Sequence, residues 1–327
     1  MIPLRTPQEA RRPTAIALGS FDGLHRGHRR VIAAVTGDQR PASLVPTVVS
    51  FWPHPREVLH GETRLRLDLP SEKLELLEPL GIRQLVLVPF DRPLAALDPE
   101  TFVDQVLVGQ LDARVIAVGT NFRFGVDRRG DTATLQALGA VRGIRVEVLP
   151  MLSDGGERLS SSRIRRALAA GDLGEAQRLL ERPYRFSGEV VAGRGLGRQL
   201  GWPTANLQVD GRKFLPLEGV YAARAQLDGV GDWLPAVMNL GLQPTVDPGA
   251  PSAVEVHLLD RVVELTGRRL RVEPLALLRG QQRFAGLEAL SRQIGLDAEQ
   301  ARVLAGRVGM GETPAHEGGD PAQQQNS

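Results

Sequence analysis

The strongest constraint on this fold is a short apolar run, Thr14 to Leu18. It empties into Gly19-Ser20-Phe21-Asp22-Gly23-Leu24-His25-Arg26-Gly27-His28 and is followed by an amphipathic stretch. That order reads as strand, tight turn, helix. Gly19, Gly23 and Gly27 let the backbone approach a ligand or take φ > 0, and His25 and His28 stand three residues apart where the turn becomes a helix. Unpaired amides at a helix start attract an anion, and imidazoles beside them can donate to phosphate oxygens as negative charge builds. A nucleotide-binding turn follows from that chemistry.

The alternation continues. A helix is predicted over 27–35 and a strand over 44–51, leading into Ser50-Phe51-Trp52-Pro53-His54-Pro55, whose prolines predict an extended loop holding His54. Ser71 reads as the cap of a helix through Leu77, 84–90 as a strand, and Asp98-Pro99-Glu100 as a helix start. Strands over 115–119 and 144–149 complete the series, while residues 1–13 show no periodicity and read as a leader. Such alternation predicts a parallel sheet covered on both faces, with ligands at the carboxyl ends of strands, where Gly19, His54 and Gly119 fall. The loop Gly119-Thr120-Asn121-Phe122-Arg123-Phe124-Gly125 follows one such strand end. The segment Leu159-Ser160-Ser161-Ser162-Arg163-Ile164-Arg165 makes a place for a polyphosphate, since it adds fixed cations to free amides at a helix start.

Asp172 and Glu175 form a capping-box pattern for a helix ending near Leu180, and Arg182-Pro183 then breaks the pattern. Short β-branched runs over 189–191, 220–227, 233–238, 253–259 and 270–278, with Gly and Pro between them, predict an antiparallel sheet or barrel. At 327 residues the chain has the length of two domains, with a boundary near 183. The loop Gly193-Arg194-Gly195-Leu196-Gly197-Arg198-Gln199-Leu200-Gly201 lacks the Gly-Lys-Ser/Thr end of a P-loop and opens no helix, so neither a Walker nor a Rossmann reading applies. Its sequel Trp202-Pro203-Thr204-Ala205-Asn206 sets the oxygens of Thr204 and Asn206 on one face, a donor set that suits Mg²⁺. Over 254–259, Glu255 and His257 share one face and Val254, Val256 and Leu258 the other, which aims Glu255 toward whatever a barrel would enclose. Two helices are predicted to close the chain, over 287–294 and from a cap at Asp297. Residues 309–327, with an idle His316, read as a disordered tail.

Composition removes several classes of chemistry. With no cysteine there is no disulfide framework, thiolate nucleophile or cysteine zinc site, so reactivity rests on His, carboxylates, hydroxyls and Arg. Basic charge is almost wholly arginine, Lys73 and Lys213 being the exceptions. The formal net charge is only +2 because acids are interspersed, which reads as solvated faces and not as a nucleic-acid surface. No apolar run approaches a membrane span and no apolar leader follows Met1, so a cytoplasmic protein without membrane or nucleic-acid partners is expected.

The motifs, taken in order over about residues 14–308, resemble the bacterial bifunctional riboflavin kinase/FMN adenylyltransferases, the FAD synthetases. The opening turn is similar to their G-x-F-D-x-x-H-x-G-H signature, and the His54 loop to T-F-x-P-H-P, with Trp52 where the family has Asp. The Asn121 loop is similar to G-x-[DN]-F-x-F-G-x-x-R-x-G and the serine cluster to I-S-S-T-R-I-R, with Ser162 in place of threonine. Farther along, Gly197 to Asn206 resembles G-x-x-x-G-[FW]-P-T-A-N. Pro216 to Tyr221, Asn239-Leu240-Gly241 with Pro244-Thr245, and Val254 to Leu259 follow in family order, while Thr266 and Gly286 replace a tyrosine and a serine.

The resemblance implies an α/β nucleotidyltransferase domain with a Rossmann-like parallel sheet over 1–182 and a β-barrel riboflavin kinase domain with C-terminal helices over 183–308. It implies ATP, riboflavin, FMN and FAD as small-molecule substrates and products, with Mg²⁺ as cofactor. Gly19, Phe21, Asp22, Gly23, His25, His28, Asn121, Ser161, Ser162 and Arg165 would meet ATP in the first domain, and Gly195, Gly197 and Thr204 in the second. His54, Phe122, Phe124 and Arg279 would meet flavin; Thr204, Asn206 and Asn121 would hold the metal; His25 and His28 would act on phosphate charge and Glu255 as general base. Two alternatives share parts of the pattern: an adenylyltransferase for another acceptor with an accessory β-domain, and a flavin- or nucleic-acid-binding regulator without turnover.

Overall fold

A computed structural model describes residues 1–37, 41–193, 197, 201–241, 254–261 and 263–309. The tail beyond 309, Gly195, and the Pro244-Thr245 pair lie outside the described residues. The chain forms two compact units. The first holds Met1–Arg165, Leu179–Glu181 and Arg212–Phe214; the second holds the described residues among 166–178, 182–211 and 215–309.

The first unit is built in chain order from β1 (Leu4–Arg5), β2 (Thr14–Leu18), α1 (Arg26–Thr36), β3 (Val45–Trp52), α2 (Pro55–His60), α3 (Pro70–Leu77) and β4 (Gln84–Pro89). It continues through α4 (Arg92–Ala95), α5 (Pro99–Phe102), β5 (Ala113–Gly119), α6 (Thr132–Val141), β6 (Arg145–Leu149), the hairpin of β7 (Ser153–Asp154) and β8 (Glu157–Arg158), and the first turn of α7 (Ser161–Ala169). Six strands form one parallel sheet in the order β1-β4-β3-β2-β5-β6. Ile16, Leu18, Val49, Val86 and Ile116 pack on one face against Phe102, Leu107 and Leu111; Ala15, Ala17, Val48 and Ala117 pack on the other against Val31, Ile32 and Val35 of α1. Burial on both faces is why these strands read as unbroken apolar runs. From β2 the chain steps outward through β3 and β4, then restarts on the other side with β5 and β6, so the order reverses between β2 and β5. Ligands of open α/β sheets bind at the carboxyl ends beside such a reversal.

Three local expectations change. Residues 1–13 are not only a leader, since Leu4 and Arg5 pair with Leu85 and Val86 as an edge strand too short to show a period. Ser71 is not a cap: Pro70 sets the start of α3, and Glu72 Oε2 accepts Leu69 N at 2.9 Å. His54 is extended, as expected, but the extended stretch ends with it, because Pro55 opens α2 and the His54 ring caps it.

After α8 (Leu173–Leu180), where Asp172 Oδ1 accepts Glu175 N at 2.9 Å, the chain enters the second unit's barrel. Its strands are β9 (Phe186–Val191), β10 (Ala205–Val209), β11 (Gly219–Leu227), β12 (Leu234–Leu240), β13 (Val254–Leu258) and β14 (Arg269–Arg279). They close in the order β10-β13-β12-β11-β14-β9. One cross-strand row, Ala205, Val256, Met238 and Tyr221, is fully or almost fully buried inside. The next row, Asn206, Glu255, Asn239 and Val220, points the other way. On that outer side Val220, Ala222 and Val237 pack against Ala298 and Ala301 of α9 (Leu287–Gly309). Glu255 therefore faces outward, and the barrel interior is filled with apolar side chains.

A single helix, α9, replaces the two predicted. Asp297 does not cap; it is buried in mid-helix, where Arg279 pairs with it at 2.8 Å and Gln293 Nε2 donates to it at 2.9 Å. Its carboxylate serves the barrel and leaves the helix amides to their own ladder. Breaking one side of a buried pair leaves an uncompensated charge. Asp297→Ala is accordingly expected to destabilise the second unit by about 3 kcal/mol, read as a lowered urea midpoint of its unfolding transition.

Candidate active sites

The turn after β2 is shaped by three left-handed residues, Phe21 (φ 46°), Gly23 (φ 89°) and Leu24 (φ 43°). At Gly23 a Cβ would also stand 2.8 Å from Leu67 Cδ1, so the position takes glycine on two counts. Phe21 folds its ring back on Gly19 and sets its edge to His28 at a centroid distance of 5.4 Å. Asp22 ties the turn down: Oδ1 accepts Leu67 N at 2.9 Å and Asp68 N at 3.2 Å, Oδ2 pairs with Arg165, and its carbonyl accepts Ser161 Oγ at 2.7 Å. Asp22, Ser161 and Arg165 thus bind one another, and Ser160 Oγ, not Ser162, accepts Arg163 N at the start of α7. Ser162 is exposed.

His25 caps α1, its Nδ1 accepting His28 N at 3.4 Å, and the two imidazoles stack with centroids 3.7 Å apart. Gly27 permits this approach, since a Cβ there would lie 3.2 Å from the His25 ring. Burial pulls the His25 pKa down to about 4, and burial with the neighbouring His25, Lys73 and Arg158 pulls His28 well below its usual value. His28 Nδ1 is buried without a partner.

A cleft beside the turn is lined by Ser20, Trp52, His54, Arg64, Lys73 and Ser161 among others. His54 Nδ1 accepts Arg56 N at 3.2 Å, and burial with Arg66, Arg64, Arg56 and Arg165 nearby pulls its pKa down to about 3. Trp52 lies under the guanidinium groups of Arg66 and Arg212, at 5.2 and 5.0 Å from the indole centroid. Asn121 is exposed at the end of β5, across the strand reversal from Gly19. Phe122 stacks on Phe124 at 5.6 Å, but Phe124 is a core residue held against Phe102. The cleft therefore gathers His54, Asp22 and Ser161 from the sequence analysis; Gly19, Phe21, Gly23, His25, His28, Ser162, Arg165, Asn121, Phe122 and Phe124 are not on its lining. Arg64, Arg66 and Lys73 were not foreseen there; for Lys73 the signal was its rarity in an arginine-rich chain.

In the second unit Glu255 lies between Asn206 and Asn239 on adjacent strands. Gln281 Nε2 donates to Asn239 Oδ1 at 2.9 Å, fixing the amide beside the carboxylate. Two glycines press on the same edge: a Cβ on Gly193 would overlap Asn206 Nδ2 at 1.8 Å, and one on Gly197 would come within 2.3 Å of Trp202 O and 3.2 Å of Thr204 Oγ1. Trp202 Nε1 donates to Ser291 Oγ at 3.1 Å, and its indole meets the His257 ring edge-on at 5.4 Å, while His257 Nδ1 lies 2.7 Å from Pro203 O. The strand register sets Asn206 beside Glu255, with Thr204 two residues before Asn206 on the same face. Arg279 is engaged by Asp297 and lies over Phe284 at 5.5 Å. Among the described residues no group of three His, Cys, Asp or Glu could hold a metal. Thr204 and Asn206 each offer a side-chain oxygen, which fits a hard cation that keeps its own waters.

A family profile described as FAD synthetase matches residues 7–163, and one described as riboflavin kinase matches 180–305. The chain is 41% identical over 289 residues to a bifunctional riboflavin kinase/FMN adenylyltransferase of Pseudomonas fluorescens, spanning 88% of this chain and 92% of the relative. It is 39% identical over 304 residues to the protein of that description from Escherichia coli (strain K12), spanning 92% and 95% of the two chains. It also resembles a crystal structure described as a macrolide-efflux protein from Streptococcus pneumoniae, with a TM-score of 0.80, 27% identity, and 92% and 98% of the two chains covered. Among the described residues no helix is long and apolar enough to cross a membrane. Both halves match in order and the likeness runs almost end to end, so this chain belongs to the family of bifunctional riboflavin kinase/FMN adenylyltransferases.

Proposed function

We propose that the chain carries both reactions of its family: phosphorylation of riboflavin to FMN by ATP, and transfer of AMP from ATP to FMN with release of pyrophosphate, giving FAD. We assign adenylyl transfer to residues 1–182 and phosphorylation to 183–308, acting on soluble substrates in the cytoplasm. What supports the reading is the geometry of each unit: a helix start with two stacked imidazoles in one, and a carboxylate between two amides in the other.

In adenylyl transfer a phosphate oxygen of FMN attacks the α-phosphorus of ATP as the bond to pyrophosphate breaks, and charge grows on the phosphate oxygens. Both histidines are neutral in the free protein. The His28 amide donates to His25 O at 2.8 Å and lies 3.4 Å from His25 Nδ1; we assign the ring proton to Nε2, from which it would donate. The amides at the start of α1 and the exposed Asn121 and Ser162 add donors, so rate comes from positioning and charge stabilisation without a covalent enzyme intermediate. His54, also with its proton on Nε2, would meet the flavin in the cleft.

In phosphorylation Glu255 accepts the proton of the riboflavin 5′-hydroxyl as that oxygen attacks the γ-phosphorus and ADP leaves. Thr204 and Asn206 would hold Mg²⁺, which when bound neutralises phosphate charge; Asn121 is the candidate ligand in the first unit. Gly197 allows the backbone to pack directly against Trp202 O and the Thr204 side chain.

Incubation with riboflavin, ATP and Mg²⁺, followed by chromatography, should show FMN and then FAD; FAD only from supplied FMN would remove the kinase. His28→Ala is expected to abolish most FAD formation while FMN formation survives, and a parallel loss of FMN in a folded variant would refute the assignment of separate sites. Glu255→Gln should slow riboflavin phosphorylation by about 10² to 10⁴ while supplied FMN is still adenylylated at nearly the normal rate. A few-fold effect would leave that carboxylate with substrate positioning alone.

The buried histidines also give stability a pH dependence. In the unfolded chain His25 titrates near 6.5, whereas in the folded chain it stays neutral down to about 4. Between those limits the unfolded chain binds more protons, so stability is full above 6.5 and falls as pH drops toward 4. For His25 the loss is at most about 3 kcal/mol. Urea unfolding of His25→Gln from pH 7 to 4.5 should show a flatter profile than the parent.

A further inference from the structure

Of the forty Lys and Arg residues only two are lysines. Both are buried around the nucleotide turn. Lys73 on α3 donates from Nζ to Ser20 O at 2.8 Å. Lys213 is part of the first unit, with Arg212 and Phe214, although in sequence it lies between β10 and β11. Its Nζ donates to Leu67 O at 2.6 Å and pairs with Glu72 Oε2 at 2.7 Å. Backbone bonds fix its entry, from Arg66 N to Arg212 O at 2.7 Å and from Phe214 N to Arg66 O at 2.8 Å.

The stretch that Lys213 grips is the one that holds the turn. Leu67 N and Asp68 N donate to Asp22 Oδ1, and Lys73 reaches Ser20 O. Glu72, the ionic partner of Lys213, also accepts Leu69 N at the start of α3. A displacement of 67–72 would therefore move both the anchor of Asp22 and the helix that presents Lys73. An ammonium suits this place because it is compact and its three donors rotate to their acceptors, whereas a guanidinium is a rigid planar fork.

We propose that Lys213, which lies among the riboflavin kinase motifs in sequence, is a positioning residue for adenylyl transfer: it sets the 67–72 segment that in turn holds the ATP-binding turn at Asp22 and Ser20. The proposal rests on the reading of that turn as the adenylyl-transfer site.

The test uses the full-length protein with two substitutions. Lys213→Met keeps the length of the side chain and removes its charge. Should the lone Glu72 carboxylate prevent folding, Lys213→Met combined with Glu72→Gln removes both charges of this pair and keeps an acceptor for Leu69 N. Both reactions are assayed on each folded protein. The expected result is that kcat/KM for ATP in FAD formation falls at least tenfold through a raised KM for ATP, with riboflavin phosphorylation within twofold of the parent. A purely structural role would lower the active fraction, reducing kcat in both reactions with KM unchanged, and that outcome overturns the proposal. Unchanged FAD formation, or a loss confined to riboflavin phosphorylation, overturns it as well. A parent protein unable to make FAD from FMN would instead refute the functional reading.

Discussion

The buried carboxylate of Asp22 is the interaction on which the first site depends. A tight turn that leaves its strand through two non-glycine residues at positive φ is strained, and it persists only where its surroundings over-determine it. Asp22 supplies that determination by collecting two amides from the 67–68 segment and the guanidinium of Arg165, while its own carbonyl takes the Ser161 hydroxyl. Two segments remote in sequence, 67–68 and the start of α7, are thereby fixed to one residue. The histidines that follow need no further scaffold, because the cap of α1 is itself an imidazole and the stack places the second beside it.

The second site follows from strand parity. A small closed barrel has room inside only for its own side chains, and here the inner rows are apolar and buried. The polar row must lie outside, where α9 covers part of the same surface through Val220, Ala222 and Val237. Glu255 thus sits at the edge of a packed wall, with Asn206 and Asn239 held at its sides by the ladder, Gly193 close against Asn206 and Gly197 close against Thr204. The two sites use different means: a helix terminus with neutral rings in one, and adjacent strand positions in the other.

Much of this was legible in the sequence because the signals are local. The apolar run before Gly19, the spacing of His25 and His28, the Asp98-Pro99 helix start and the alternation around Glu255 each act within a few residues, and each is where the periodicity put it. The motifs that carried the family resemblance are local in the same sense. Where the sequence misled, either a partner on another element or a neighbouring proline had overruled the local preference. Asp297 has the look of a cap, but Arg279 on β14 takes its carboxylate into mid-helix, and Pro70 with Glu72 displaces Ser71 from the start of α3. His54 was expected in an extended loop, yet the proline after it opens a helix that its ring caps.

The sequence by itself determined the fold of each half, the order of the motifs and the residue types available for phosphate chemistry, because hydrophobic period, turn residues and caps act over one or two turns of chain. Only the tertiary structure decided which way Glu255 faces, since alternation separates two faces without saying which is enclosed until the barrel closes. It alone also decided that Asp22 is spent on protein partners, that Phe124 belongs to the core, and that Lys213 lies against Leu67 and Glu72. These are contacts between residues tens to more than a hundred positions apart, and a buried charge carries no mark of its partner until packing brings the two together.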